Sequence, residues 1–358
     1  MRLAFVHSAS EWNGRARVFA TVARALSERG HECWFLAPAG SEAAMQAVER
    51  GVRTLALPPR EGAWRMSRAL RSLLPPDFAD ALFVHDDVEH LAAALAVRAA
   101  RRGMVVRRIG AGETLEQGWI GRRAERMSGT RYLYTTESPP SALAAPSGTL
   151  TGARAEVGVA IPPAVAGTVR FPSEATALVL VATRQSLRRA TNVVRAAALL
   201  AQRHQSLRLR VIGSVAYEQD IKLLAAALGI GRRVEWLGFV EEEAAYHGVA
   251  AGWVVADGDD AALGALTLMA HGIPVLSERT TVAARYISDG IHGALMANLD
   301  PALMAAETAL LLADGEVRAA MGAAARHRVE REFPQREMLA GFELAARGVR
   351  ERAPAGHA

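Results

Sequence analysis

The sequence is poor in cysteine, in aromatic residues and in long apolar runs, and each shortage narrows what the chain can be. Cys33 is the only cysteine, which excludes an internal disulfide and a cysteine metal cluster and suits a reducing compartment. No apolar stretch approaches the ~18 residues of a membrane span, and the opening Met-Arg-Leu-Ala-Phe-Val is too short for a signal peptide. A cytoplasmic location is expected. Aromatic residues make up 6% of a chain that is 51% hydrophobic, so the apolar mass is mostly Ala, Leu and Val, a composition that favours helices packed on sheets over all-β architecture. Zinc-ligand spacing is absent, and so is the mixture of aromatic and basic residues that marks RNA recognition, so no nucleic-acid partner is expected.

Arginine, in contrast, is plentiful. Lys plus Arg number 42 against 37 Asp plus Glu, a net charge of +5, and nearly all the cations are Arg, which suits bidentate contact with phosphate or carboxylate. At 358 residues the chain exceeds what one core usually serves, so two domains of roughly 170 residues each are expected.

Hydrophobic periodicity gives a repeating order. Leu3 to His7 reads as a strand, Ser8 to Gly14 as a polar loop, and Val18 to Leu26 as a helix. Further strands are predicted at Cys33 to Leu36, Thr54 to Leu57, Ala81 to His85, Met104 to Arg107 and Tyr132 to Thr135. A stretch rich in Pro, Gly, Ala and Thr from Ile161 to Ser173 reads as a linker. The rhythm then restarts, with strands at Ala177 to Ala182, Leu207 to Ile212, Val234 to Leu237, Trp253 to Ala256, Pro274 to Leu276 and Ala294 to Met296. Helices are predicted at Asn192 to Arg203, at Glu218 to Leu228, from Pro301 onward and, beyond Phe333-Pro334, at Gln335 to Arg347. The pattern implies an α/β protein with two doubly wound parallel sheets, residues 1–165 and 166–334, and a last helix with its tail at 335–358.

In open parallel sheets ligands collect beyond the carboxyl ends of the strands, which makes the loops there the places to search. Asn13-Gly14-Arg15 precedes a helix whose N-terminus favours an anion, or else forms an ordinary tight turn. Arg184 and Arg189 leave one strand-to-helix loop; two guanidinium groups there either neutralise a diphosphate or make a solvated basic loop. His85-Asp86-Asp87 can donate, accept or bind a metal, and reads equally as a helix cap with acids at the positive end of its dipole.

Asn13-Gly14-Arg15-Ala16-Arg17-Val18, Ala23-Arg24-Ala25-Leu26 and Arg29-Gly30-His31-Glu32 resemble, without a gap, the opening of the retaining GT-B glycosyltransferases of family 4. Arg184 and Arg189, then Val211-Ile212-Gly213, Arg233 to Gly238, Met269 to Val275 and Asp289 to Gly293, follow in the same family's order. The resemblance implies two Rossmann-like domains facing across a cleft and hexosyl transfer from a nucleotide-diphosphate sugar with retention of configuration. It implies that the second domain binds the donor and the first a glycan, lipid-linked or small-molecule acceptor. It also implies a base near Val234 to Val240, with Val234 and Gly238 among its contacts, and a sugar and phosphates approached by Gly14 and Arg15. His85 and Asp259 are the catalytic candidates it points to.

The family's two donor-site glutamates fall here on Asp259 and Thr267, its Gly-Phe-Gly on Asp260-Ala261-Ala262 with Leu263 next, and a first-domain Glu on Ala16. Thr267 lacks a carboxylate's grip on ribose hydroxyls, a change worth on the order of tenfold in affinity. A member that binds a nucleotide, glycan or partner enzyme without turnover is the alternative these departures raise. No cofactor is expected: transfer should be metal-independent, although Asp257, Asp259 and Asp260 offer hard oxygens to Mg²⁺. Residues 61–74 set Trp64, Leu70 and Leu73 among Arg65, Arg68 and Arg71, either an amphipathic surface for anionic lipid or an ordinary surface helix; Gly118 to Arg123 offers a second such segment on the acceptor side.

Overall fold

Strands made of unbroken apolar runs must be covered on both faces, and in the computed structural model the runs found in the sequence are parallel strands of that kind. The structure describes residues 1–58, 62–74, 79–115, 118–136, 152–163, 187–215, 217–240 and 243–347, with the backbone alone of 177–182. They form two units, Met1–Val157 joined by the chain from Arg336 onward, and Gly158–Gln335.

Unit 1 runs β1 (Arg2–Val6), α1 (Gly14–Glu28), β2 (Glu32–Pro38), α2 (Glu42–Glu49), β3 (Thr54–Leu57), α3 (Ala63–Leu73), β4 (Ala81–Val84), α4 (Asp87–Ala100), β5 (Met104–Ile109), α5 (Trp119–Ser128), β6 (Arg131–Tyr134) and β7 (Gly152–Arg154). Its strands lie in the order β3-β2-β1-β4-β5-β6-β7, so the winding reverses between β1 and β4. Helices α3, α4 and α5 pack side by side. Beneath α1, Phe5 stacks on Phe83 with centroids 4.8 Å apart, and Phe342 adds its ring to the same cluster from α12 (Gln335–Arg347), the last described helix. Gly341 lets α12 lie close, since a Cβ there would stand 2.4 Å from the Arg154 carbonyl oxygen.

Unit 2 runs β8 (Ala177–Ala182), α6 (Leu187–Arg203), β9 (Arg208–Gly213), α7 (Glu218–Ala227), β10 (Val234–Gly238), β11 (Val249–Val255), α8 (Gly258–Ala270), β12 (Val275–Glu278), α9 (Thr281–Tyr286), β13 (Gly293–Met296), α10 (Pro301–Ala313) and α11 (Gly315–Glu332). The strand order β10-β9-β8-β11-β12-β13 reverses between β8 and β11. Its core includes the fully buried Trp253, whose indole N–H donates to Thr308 Oγ1 at 2.9 Å, and every residue of β11 is buried.

The two doubly wound parallel sheets are those the sequence implies. Boundaries differ in informative ways. Helix α6 begins at Leu187, not at Asn192, because the Asn192 side chain is not a cap: its Nδ2 donates to the Leu299 carbonyl at 2.9 Å. Helix α8 has no amphipathic signature, since all but two of its thirteen residues are buried; a helix apolar all round carries no stripe. The predicted linker beyond Pro163 lies outside the described residues.

Candidate functional site

A parallel sheet opens a crevice beyond the strands at its reversal point, and in unit 1 the loops after β1 and β4 come together there. Unit 1 joins them through one carboxylate. Glu89, in the first turn of α4, accepts from the Ser8 N–H at 2.6 Å and the His85 N–H at 2.9 Å, and it closes a capping box with Asp86. Buried and close to the charge of Asp86, Glu89 has its pKa pushed up to about 7.

Asn13 caps α1, its side chain accepting from the Ala16 N–H at 3.1 Å, and Gly14 is buried as the first helical residue. Arg15 forms an ion pair with Glu113, whose second oxygen takes the Gly110 N–H at 2.8 Å. The His85 ring stacks on Phe19 with centroids 4.0 Å apart, and among the described residues neither of its nitrogens makes a hydrogen bond of normal geometry. Burial, then the charges of Arg108 and Arg15, hold its pKa well below the ordinary range, so the imidazole is neutral, with one nitrogen to donate a hydrogen bond and one to accept. His7 is pushed down to about 4, chiefly by burial.

The neighbouring acids have structural work. Asp86 caps α4, and Asp87 Oδ1 pairs with Arg107 Nη1 at 2.7 Å. The pair is roofed by α5, where a Cβ on Gly121 would lie 3.1 Å from both partners. Of the segment His85-Asp86-Asp87, therefore, Asp86 has the capping role and Asp87 pairs with Arg107, which leaves His85 as the candidate for chemistry.

In unit 2 the reversal point brings the first turns of α6 and α8 beside the end of β12. Arg189 Nη1 donates to Asp257 Oδ2 at 2.8 Å and its Nη2 to Glu278 Oε2 at 3.1 Å. A cavity of about 460 Å³ opens beside them, lined by Arg188, Arg189, Asn192, Glu278, Asn298 and Asp300. Asp259 and Asp260 stand in the first turn of α8, 5% and 8% exposed, where the helix dipole favours a negative charge. Ala261, Ala262 and Leu263 follow and are buried. Thr267, half-buried, is two turns on, ~12 Å from Asp259 along the helix axis. Gly238 ends β10 with φ +66°, whereas Val234 opens that strand and is packed in the core. Arg184 lies outside the described residues.

The structure thus gathers Arg189 and the α8 acids at one sheet edge and leaves Val234 at the opposite end of its strand. Sequence reasoning missed Glu89, Glu113, Arg108 and Glu278. Glu89 had a local signal, the Asp-x-x-Glu spacing of a capping box; Glu278 had none, because only strand order makes it a neighbour of Arg189. Helix α3 corrects a further reading: Leu70 is fully buried and Leu73 half-buried, leaving Trp64, 69% exposed, as the apolar part of the arginine-rich face.

Residues 169–328 match the model of the glycosyl transferases group 1 family and residues 12–109 that of Glycosyltransferase Family 4. The chain has the GT-B fold, and its two matched segments are similar to glycosyltransferase families. Among GT-B structures, a glycosyltransferase from Rickettsia africae superposes with TM-score 0.70 at 13% identity, over 97% of this chain and 98% of that one. Anabaena HepE in complex with UDP and glucose gives 0.71 at 14%, over 98% and 100%. WaaG, a glycosyltransferase involved in lipopolysaccharide biosynthesis, gives 0.61 at 14%, over 96% and 98%. No curated protein matches the sequence.

Proposed function

We propose that the protein transfers a hexosyl group from a nucleotide-diphosphate sugar to an acceptor with retention of configuration, and that unit 2 holds the donor. The observation that carries this reading is Arg189, set at the N-terminus of α6 at the sheet's reversal point beside a polar cavity. A guanidinium and a helix N-terminus at that spot neutralise a diphosphate, and the same field stabilises the charge that grows on the departing nucleotide. Arg184 is assigned the same phosphates. HepE, on the same fold, has been solved with UDP-glucose.

Asp259 is assigned to the sugar and Thr267 to the ribose, with Asp260, Ala261, Ala262 and Leu263 lining the sugar's side. Gly238 and Val234 belong to the base-binding segment, Gly14 and Arg15 to the phosphates. His85 is the second catalytic candidate: a neutral imidazole, it offers one donor and one acceptor to sugar hydroxyls without adding charge. The acceptor, a glycan, lipid-linked or small molecule, is assigned to unit 1. No resident metal is required by these roles, so activity should survive a chelator. We propose further that α3 touches anionic membrane through Trp64, Arg65, Arg68 and Arg71, a segment exposed at each of these positions and free of acidic residues.

The test is hydrolysis or transfer from a panel of sugar nucleotides. The wild type should turn over at least one donor, with kcat/KM falling roughly a hundredfold or more in Arg189→Gln and Asp259→Asn. Absence of turnover with every donor, or unchanged rates in both variants, would overturn the reading.

A further inference from the structure

Resting on that assignment of the donor to unit 2, we infer that Asp257 and Glu278 are affinity-setting residues that occupy Arg189 in the place of the donor's diphosphate, so that donor binding is an exchange of carboxylates for phosphate. Asp257 engages one terminal nitrogen of the Arg189 fork and Glu278 the other, at 2.8 and 3.1 Å. This is the two-pronged pattern with which a guanidinium receives a diphosphate, here supplied from two different strand ends.

The behaviour of Asp257 points to the same exchange. It sits at the N-cap of α8, yet its side chain makes no capping hydrogen bond, whereas Asp86, Asp300 and Asp314 at the corresponding position of α4, α10 and α11 all do. Its carboxylate is turned to Arg189 instead, and its side chain is 68% exposed, so it can swing into solvent without disturbing the core. Glu278 reaches Arg189 from the end of β12 and lines the cavity beside it. Two carboxylates against one guanidinium leave this cluster with a net negative charge, which disfavours an arriving diphosphate until the acids swing away. The pair with Asp257 is exposed and that with Glu278 half-buried, and ion pairs so open to water are weak enough to exchange.

The consequence is that removing the competing charge strengthens anion binding, whereas acids that merely held Arg189 in position would weaken it on removal. Titration calorimetry with inorganic pyrophosphate and with UDP, on the full chain, compares wild type, Asp257→Asn, Glu278→Gln, the double variant, and Arg189→Gln alone and added to the double variant. Circular dichroism and melting curves check that all six fold alike. A neutral hydrogen bond is about half as strong as a charge-assisted one, so each single change should tighten binding several-fold and the double change roughly tenfold or more, with Arg189→Gln abolishing the gain. Affinity that appears only in the double variant supports the exchange equally. Affinity unchanged or weakened in the double variant overturns it, while loss of binding on Arg189→Gln alone would leave the donor assignment standing. Binding of either anion that is indifferent to Arg189, or no binding by any of the six proteins, overturns both.

Discussion

Glu89 shows how one side chain can define a loop pair. Its carboxylate receives N–H groups from Ser8, His85 and Asp86, so the backbone of the His85 candidate is fixed from below while its ring lies on Phe19. Around it stand groups whose charged forms burial opposes: His7 pushed down to about 4, His90 to about 3, His85 well below the ordinary range, and Glu89 up to about 7. The signs differ. A histidine with a depressed pKa stays neutral in the fold while the unfolded chain takes up a proton below about 6.5, so stability is lost as pH falls from there towards the folded value. Glu89 acts the other way, its contribution present below about 4.5 and lost as pH rises through about 7. Three histidines against one glutamate should make the protein less stable on acidification, since every tenfold change in a group's proton affinity on folding is worth about 1.4 kcal/mol. Urea midpoints at about pH 7 and about pH 5 check this: a clear fall is expected, and equal midpoints would contradict it. The Glu89 bonds to His85 and Asp86 are local to a capping box, whereas its contact with Ser8 was not legible in the sequence, because it forms only when β1 and β4 become neighbours.

Among the elements, legibility followed the strength of the periodic signal. Thr54–Leu57, Ala177–Ala182 and Gln335–Arg347 have the limits that their patterns imply, the first set between Gly51 and Pro58 and the last opened by Pro334. Helix α8 was hidden by its uniform burial, and β7, three residues long, is too short for any period to register. Helix α3 was legible as a helix but not in its orientation. Leu70, counted with the exposed apolar face, is fully buried in the core, and Trp64 alone stands out among exposed arginines. A membrane-facing role for this helix therefore depends on one indole and three guanidinium groups. Co-sedimentation with vesicles containing anionic lipid should weaken as salt rises and drop several-fold in Trp64→Ala. Binding indifferent to salt and to Trp64 would assign α3 to ordinary surface.

At the scale of the whole molecule, the same winding occurs twice, and in each unit the order of strands alone selects the edge where chemistry collects. The order of motifs was enough to read the fold, because the spacing of strand and helix survives substitution of individual side chains. It was not enough to read the donor site. Arg189 was found from its place after a strand, but Asp257 and Glu278 change its meaning from an isolated cation to a cluster in which acids already answer its charge. Asp259 is a buried acid at the start of α8 and Thr267 a half-buried hydroxyl two turns further along. The central claim is that unit 2 binds the donor's diphosphate at the first turn of α6. Amide hydrogen exchange with and without the nucleoside diphosphate that binds most tightly tests it directly. Slowed exchange around Leu187 to Arg189, the end of β12 and Asn298 to Asp300, with α7 and α11 unchanged, is the expected result; protection confined to unit 1, or to the opposite end of the unit 2 sheet, would contradict it.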